Sequence, residues 1–341
     1  MKICYIGNGN SGTDYYRAHY PAQLLQAEGY EVSQYNLCDF DGDRLAPVVD
    51  GNVLDAPDVI VLMGVGVFDV SKAIARAKKS GQTVLYDIDD WTWGAPSNNP
   101  GFDAGRVRAS DGTTYLTRVR AAMAECDGVL CSTPYLAERV RRFCRRTFVA
   151  PNVFAVVQEK DYVRPERTRI GWAGGTDAHV DDLVHIKGFL GPIIKELDAE
   201  MVHIGHTDDT PSFAELTGVD CEDMILYPRT SFEGYYQSLR DANLTLGIVP
   251  LRDNPFNRAK TSTKGTEYAL NAIPFVASPT ATYTTDYPFS TQPFRHWLSF
   301  LRAARYYHID HSKSIRELAC TNISKWHLQY LAAFTRAINP L

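Results

Sequence analysis

Pro255–Ser278 reads PFNRAKTSTKGTEYALNAIPFVAS. An apolar run precedes it, Leu244–Leu251 (LTLGIVPL), and a second closes it, Ile273–Ala277 (IPFVA). Both runs have the length and content of buried strands. Between them lies a basic, hydroxyl-rich loop of Lys260, Thr261, Ser262, Thr263 and Lys264, and then a helical piece with Glu267 in its first turns. A strand, a cationic loop and a helix start form a seat for phosphate, because backbone N–H groups and lysine charges act on the same anion. Glu267 is repelled by phosphate. A carboxylate at that depth is suited to accept hydrogen bonds from ligand hydroxyls instead.

The stretch resembles the donor-site signature of GT-B-fold glycosyltransferases of the large retaining group. That signature carries two glutamates eight apart, a small residue and a strand of the form PVVAS. Glu267 falls on the second glutamate and Ile273–Ser278 on the strand; Ala259 stands where the first glutamate is expected. The form F-N-x-x-K-x-x-x-K-x-x-E-Y, Phe256 to Tyr268, resembles glycosyltransferases found in phage and bacterial genomes. The resemblance implies an α/β fold of two Rossmann-like, doubly wound domains facing a cleft, with the last helix crossing back to the first domain. It implies a nucleotide-diphosphate sugar as donor substrate, no other cofactor, a hydroxyl acceptor and retention at the anomeric carbon. Glu267 would hold sugar hydroxyls, and Lys260, Ser262, Thr263 and Lys264 the diphosphate.

Composition fits that frame. At 341 residues the chain accommodates two domains, and 45% hydrophobic with 22% charged residues is the make-up of a globular protein. A net charge of −5 argues against a surface that is basic throughout, though not against a local basic patch. Seven cysteines without paired spacing read as reduced thiols of a cytoplasmic protein. MKICYIGNG enters a strand at once and lacks a signal-peptide pattern, and no apolar run approaches about 18 residues. The oligomeric state is left open by the sequence.

Residues 1–157 read as the first domain. Lys2–Ile6 is its first strand, followed by Gly7, Gly9 and Gly12 in a G-x-G-x-x-G loop and a helix over Tyr15–Glu28 closed by Gly29. Such a loop serves an NAD site when an acid follows the second strand, as Asp39 or Asp41 does. In the family that this chain resembles, the loop faces the donor phosphates and the acceptor, which makes Gly9 a donor residue and Tyr16 and Arg17 acceptor-side residues; ordinary helix surface is the alternative for the latter two. Glu31–Tyr35, Val59–Met63 and Thr83–Tyr86 read as parallel strands. The last runs into Asp87, Asp89 and Asp90 at the carboxyl edge, where α/β ligands bind. These carboxylates read as catalytic or acceptor-holding groups, as a metal-binding D-x-D, or as loop caps. Trp91 opens an aromatic, turn-rich acceptor loop to Phe102. From Arg106 to Arg146 nine arginines face four acids. On an expected helix Pro134–Arg146, Arg141, Arg142 and Arg145 form either a solvated face or a patch for a polyanion.

The second domain reads as 166–320, with 321–341 as the returning helix. It restarts the strand–glycine–helix pattern at Arg169–Thr176. Gly174 and Gly175 let backbone approach a diphosphate, with Thr176 and His179 after them, His179 as a catalytic candidate. Tyr227 and Arg229 follow another strand, Met224–Tyr227, and by resemblance lie near the nucleotide base. The acceptor reads as DNA, lipid or protein. Two other readings stay open: a sugar-nucleotide epimerase of the same fold, and a binding protein without turnover.

Overall fold

The computed structural model describes all residues except 8–11, 37–39, 42–44, 51, 54–55, 67–68, 158–164, 221, 223, 307 and 340–341. Six strands build the first sheet: β1 (Lys2–Gly7), β2 (Glu31–Asn36), β3 (Val59–Met63), β4 (Thr83–Ile88), β5 (Gly128–Cys131) and β6 (Thr147–Val149). They lie in the order β2-β1-β3-β4-β5-β6, all parallel. Side chains of β1 alternate between two cores: Cys4 and Ile6 join one, Ile3 and Tyr5 the other. Burial on both faces explains why the central strands β3 (VIVLM) and β5 (GVLC) read as unbroken apolar runs, whereas the edge strand β2 (EVSQYN) is largely exposed.

The second sheet repeats the plan with β7 (Thr168–Ala173), β8 (Ala199–His206), β9 (Met224–Pro228), β10 (Leu246–Val249) and β11 (Phe275–Ala277). Its order is β9-β8-β7-β10-β11, again parallel. In each sheet the chain reverses its direction of winding beside the first strand of that domain. Ligands of open α/β sheets bind at the carboxyl ends of the strands there. Gly12 and Thr13, which start the helix after β1, and the Gly174–Gly175 turn after β7 therefore flank the interdomain cleft.

One helix, His308–Ile338, ties the domains together. Ile315, Ala319, Ile323 and Trp326 pack on the second domain; Tyr330, Ala333, Phe334 and Ala337 pack on the first. The division expected at 320/321 falls inside this continuous helix. Tyr330 and Tyr5 share a buried hydrogen bond of 2.7 Å. Arg146 donates to the carbonyls of Arg336, Ala337 and Asn339 at 3.1–3.2 Å, capping the helix end with positive charge.

Two helices differ from expectation. The one expected over Pro134–Arg146 ends at Val140, so Arg141, Arg142 and Arg145 stand exposed in the turns that follow. The first helix starts as Gly12–Asp14, widens into a π segment, Tyr15–His19, and continues as Tyr20–Ala27. Tyr16, Arg17 and Ala18 are all buried, because the widened turn is gripped from both domains.

Candidate active site

The stretch Pro255–Ser278 folds as the short helix Pro255–Ala259, an extended turn at Lys260, and the helix Thr263–Leu270 that leads into β11. Asn254 caps the first helix by accepting from the Asn257 N–H at 2.8 Å. Ser262 begins the second helix but donates its hydroxyl to Asp286 at 2.6 Å. Gly265 sits where a Cβ would meet Phe275 at 2.6 Å and Tyr283 at 2.7 Å, so only glycine lets the helix lie this close to β11.

Glu267 is buried, at 3% exposure, on the wall between two cavities of about 270 and 300 Å³. Both of its oxygens are occupied. Oε1 accepts from Tyr16 Oη at 2.5 Å; Oε2 accepts from Tyr235 Oη at 2.6 Å and Lys264 Nζ at 2.8 Å. Tyr16 belongs to the first domain, so the carboxylate is a junction between the domains. Around it Tyr15 stacks on Phe232 with centroids 3.8 Å apart and donates to Glu233, and Tyr16 meets Tyr236 at 3.0 Å.

The smaller cavity brings Thr13, Asp89, Asp90, His179, Lys260 and Lys264 to one space. Asp89 accepts from Thr13 Oγ1 at 3.1 Å; Lys260 lies 3.7 Å from Asp90 and over the Phe256 ring. Burial, and then the neighbouring Asp90 carboxylate, push the Asp89 carboxyl up to about 7. The larger cavity is lined by Gly174, Gly175, Arg229, Phe232 and Tyr235 beside Lys264 and Glu267. A Cβ on Gly175 would collide with the Arg229 guanidinium, which pairs with Asp177 at 3.0 Å. His203 is held neutral, its pKa lowered to about 4 by burial, and donates Nε2–H to the Gly174 carbonyl at 3.1 Å. The glycine turn is thus braced from behind.

No protein-family model matches the chain, and no curated protein matches it in sequence. Among solved structures it is similar to the trehalose-6-phosphate phosphatase N-terminal domain of Candida albicans (9% identity, TM-score 0.62, 99% of each chain covered). It is also similar to TarM (11% identity, TM-score 0.58, 83% of this chain and 55% of TarM). A third is the lipopolysaccharide outer core galactosyltransferase WaaB (13% identity, TM-score 0.51, 99% of each chain). The fold is GT-B. The neighbours include GT-B glycosyltransferases, at identities that bear on architecture alone. The chain spans 55% of the length of TarM.

Of the residues named from sequence, the GT-B cleft brings together Asp89, Asp90, His179, Lys260, Thr263, Lys264, Glu267, Gly174, Gly175, Arg229 and Tyr16. Others lie elsewhere. Asp87 and Arg17 are not cleft groups: they form a buried two-pronged ion pair at 2.7 and 2.9 Å, with Arg17 also donating to the Ala150 carbonyl and to Asn152 Oδ1. Both Asp87 oxygens are used by Arg17 inside the domain, while Asp89 lines the cleft. Helix surface fails for Arg17, which is fully buried. Trp91 lies between Trp93, Phe143 and the Arg139 guanidinium rather than on the cavity. Thr176 is buried against Thr210, and Tyr227 packs on the second core. Gly9, the NAD reading's Asp39 and most of the loop after β1 lie outside the described residues; Asp41's side chain is not described. Thr13, Asn152 and Tyr235 stand at the site without a motif in the sequence to mark them. The Tyr235–Tyr236 doublet was the one available signal; nothing local marks Asn152, which donates to Thr261 and Thr263 at 3.2 and 3.0 Å across the domain boundary.

Proposed function

We propose that the chain transfers a sugar from a nucleotide-diphosphate sugar to a hydroxyl acceptor, with retention at the anomeric carbon and without a metal ion. The observation that carries this reading is the shared wall of Lys264 and Glu267 between a cavity with a glycine turn and an arginine and one with two carboxylates and a histidine. A mutant of S. aureus TarM has been crystallised in complex with Fondaparinux, alpha-GlcNAc-glycerol and UDP. A nucleotide diphosphate suits the larger cavity here, its phosphates near Gly174, Gly175 and Arg229, and its sugar passing Glu267 toward Asp89 and His179.

Breaking the sugar–phosphate bond builds negative charge on the leaving diphosphate. Lys260, Lys264 and Arg229 answer it, each already held by one carboxylate at 3.7, 2.8 and 3.0 Å. Cations oriented before the reaction stabilise such charge most effectively. Turnover is expected to persist in EDTA; loss restored by manganese or magnesium contradicts the metal-free reading.

The acceptor is proposed to be, or to be attached to, a polyanion. Of the nine arginines between 106 and 146, Arg106, Arg118, Arg120 and Arg139 have partners inside the domain, and Arg146 caps the long helix. Arg141, Arg142 and Arg145 are exposed. DNA with a hydroxylated base is the first acceptor to try, then an anionic lipid, then a protein. Reversing these three arginines to Glu is expected to raise acceptor KM and leave donor Kd unchanged. Insensitivity to the reversal and to salt between about 50 and 200 mM removes the polyanion.

A further inference from the structure

Asp182 is buried, at 3% exposure, and the transfer described above gives it no task. Three donors converge on it. Oδ1 accepts from the Arg252 N–H and from Asn257 Nδ2, both at 2.7 Å, and Oδ2 accepts from His179 Nδ1 at 2.8 Å. His179 lines the smaller cavity and meets Trp172 edge-on, with ring centroids 5.9 Å apart at 85°. With Nδ1–H committed to the carboxylate, Nε2 is the nitrogen left for the cavity, and in the neutral ring it is an acceptor. The other two donors come from the segment that leads into Lys260. One carboxylate thus sets the imidazole and the cationic loop in register.

We infer that Asp182 is a positioning residue that turns His179 Nε2, as a hydrogen-bond acceptor, toward a hydroxyl of the transferred sugar. The inference rests on the proposed donor reading. An aspartate is needed because an acceptor-only group selects the Nδ1–H tautomer. In Asp182→Asn the amide oxygen still serves Arg252 and Asn257, while its NH2 faces Nδ1 and forces the proton to Nε2.

Two measurements test this. Long-range 15N–1H spectra, recorded where the ring is neutral, should show His179 as the Nδ1–H tautomer in the wild type and as Nε2–H in Asp182→Asn. An Nε2–H ring in the wild type overturns the inference. Calorimetry with UDP-glucose and UDP, or with the GDP pair if the guanosine donor is the one bound, separates positioning from bracing. Asp182→Asn should weaken the sugar nucleotide at least about 10-fold, the scale of one hydrogen bond, and leave the bare nucleotide unchanged. Equal weakening of both makes Asp182 a loop brace and overturns the inference. His179→Gln retains Asp182 with its two remaining donors and should reproduce the selective loss, which covers an Asp182 variant that does not fold. If the wild type binds no sugar nucleotide, the donor reading and the sugar contact fail together, while the spectra still judge the Asp182–His179 bond.

Discussion

Arg17 and Asp87 show how far a residue's role is set by its partner. Seventy positions apart, they meet inside the first domain with both charges withdrawn from water. Removing one partner of such a pair leaves a buried charge uncompensated. Arg17→Met should lower stability by about 3–5 kcal/mol, read by urea unfolding, and a loss under about 1 kcal/mol contradicts the pairing. Neither residue's fate was legible locally. A strand that ends in Asp-Ile-Asp-Asp puts its first two carboxylates on one side by alternation, but β4 stops at Ile88, so Asp87 points inward and Asp89 into the cleft. What was legible, Lys260, Lys264, Glu267 and the two glycines, lies within short motifs. What was not, the Tyr16–Glu267 bond among them, joins residues on different domains.

Asp89 gives the pH test at this scale. Its folded pKa, raised to about 7, lies above an ordinary carboxyl's value, so the folded state holds the proton more tightly than the unfolded chain. Asp89 therefore withdraws stability as pH rises from about 4 to about 7. Asp89→Asn should melt higher than the wild type at pH 8, with the difference shrinking toward pH 4. A pH-independent difference contradicts the shift.

At the scale of elements, the helix Thr263–Leu270 packs closely enough that Phe275 and Tyr283 exclude a Cβ at Gly265. It is buried from Gly265 to Leu270 between the second sheet and the long helix, and the Gly265 N–H donates to Tyr283 Oη at 3.1 Å. That bond uses one of the free donors expected to seat phosphate, which leaves the proposed anion contact to Lys264 and its neighbours. Gly265→Ala pushes a methyl into Phe275 and Tyr283. It should lower stability by about 1–3 kcal/mol, even though alanine favours helix, and a higher melting temperature contradicts the packing. The π segment had no sequence mark; within it Arg17 is held by the first domain and Tyr16 reaches the second.

At the scale of the molecule, the central strands of both sheets were readable as apolar runs with glycine turns, and the long helix only in its last part, since its buried face changes partner midway. The cleft is closed in this structure by Tyr15, Tyr16 and Glu267 across the domains. Under the proposed donor reading, a sugar hydroxyl that reaches Glu267 Oε1 takes the place of Tyr16. Among the described residues no helix is long and apolar enough to cross a membrane. The most direct test of the whole reading is incubation with UDP-, GDP- and dTDP-sugars without acceptor, following release of free sugar and nucleotide. The account predicts slow hydrolysis of one donor, with Lys260→Met losing about 10²-fold or more of the rate and Glu267→Gln weakening donor binding. Recovery of an isomerised donor, or neither binding nor turnover of any donor, contradicts it.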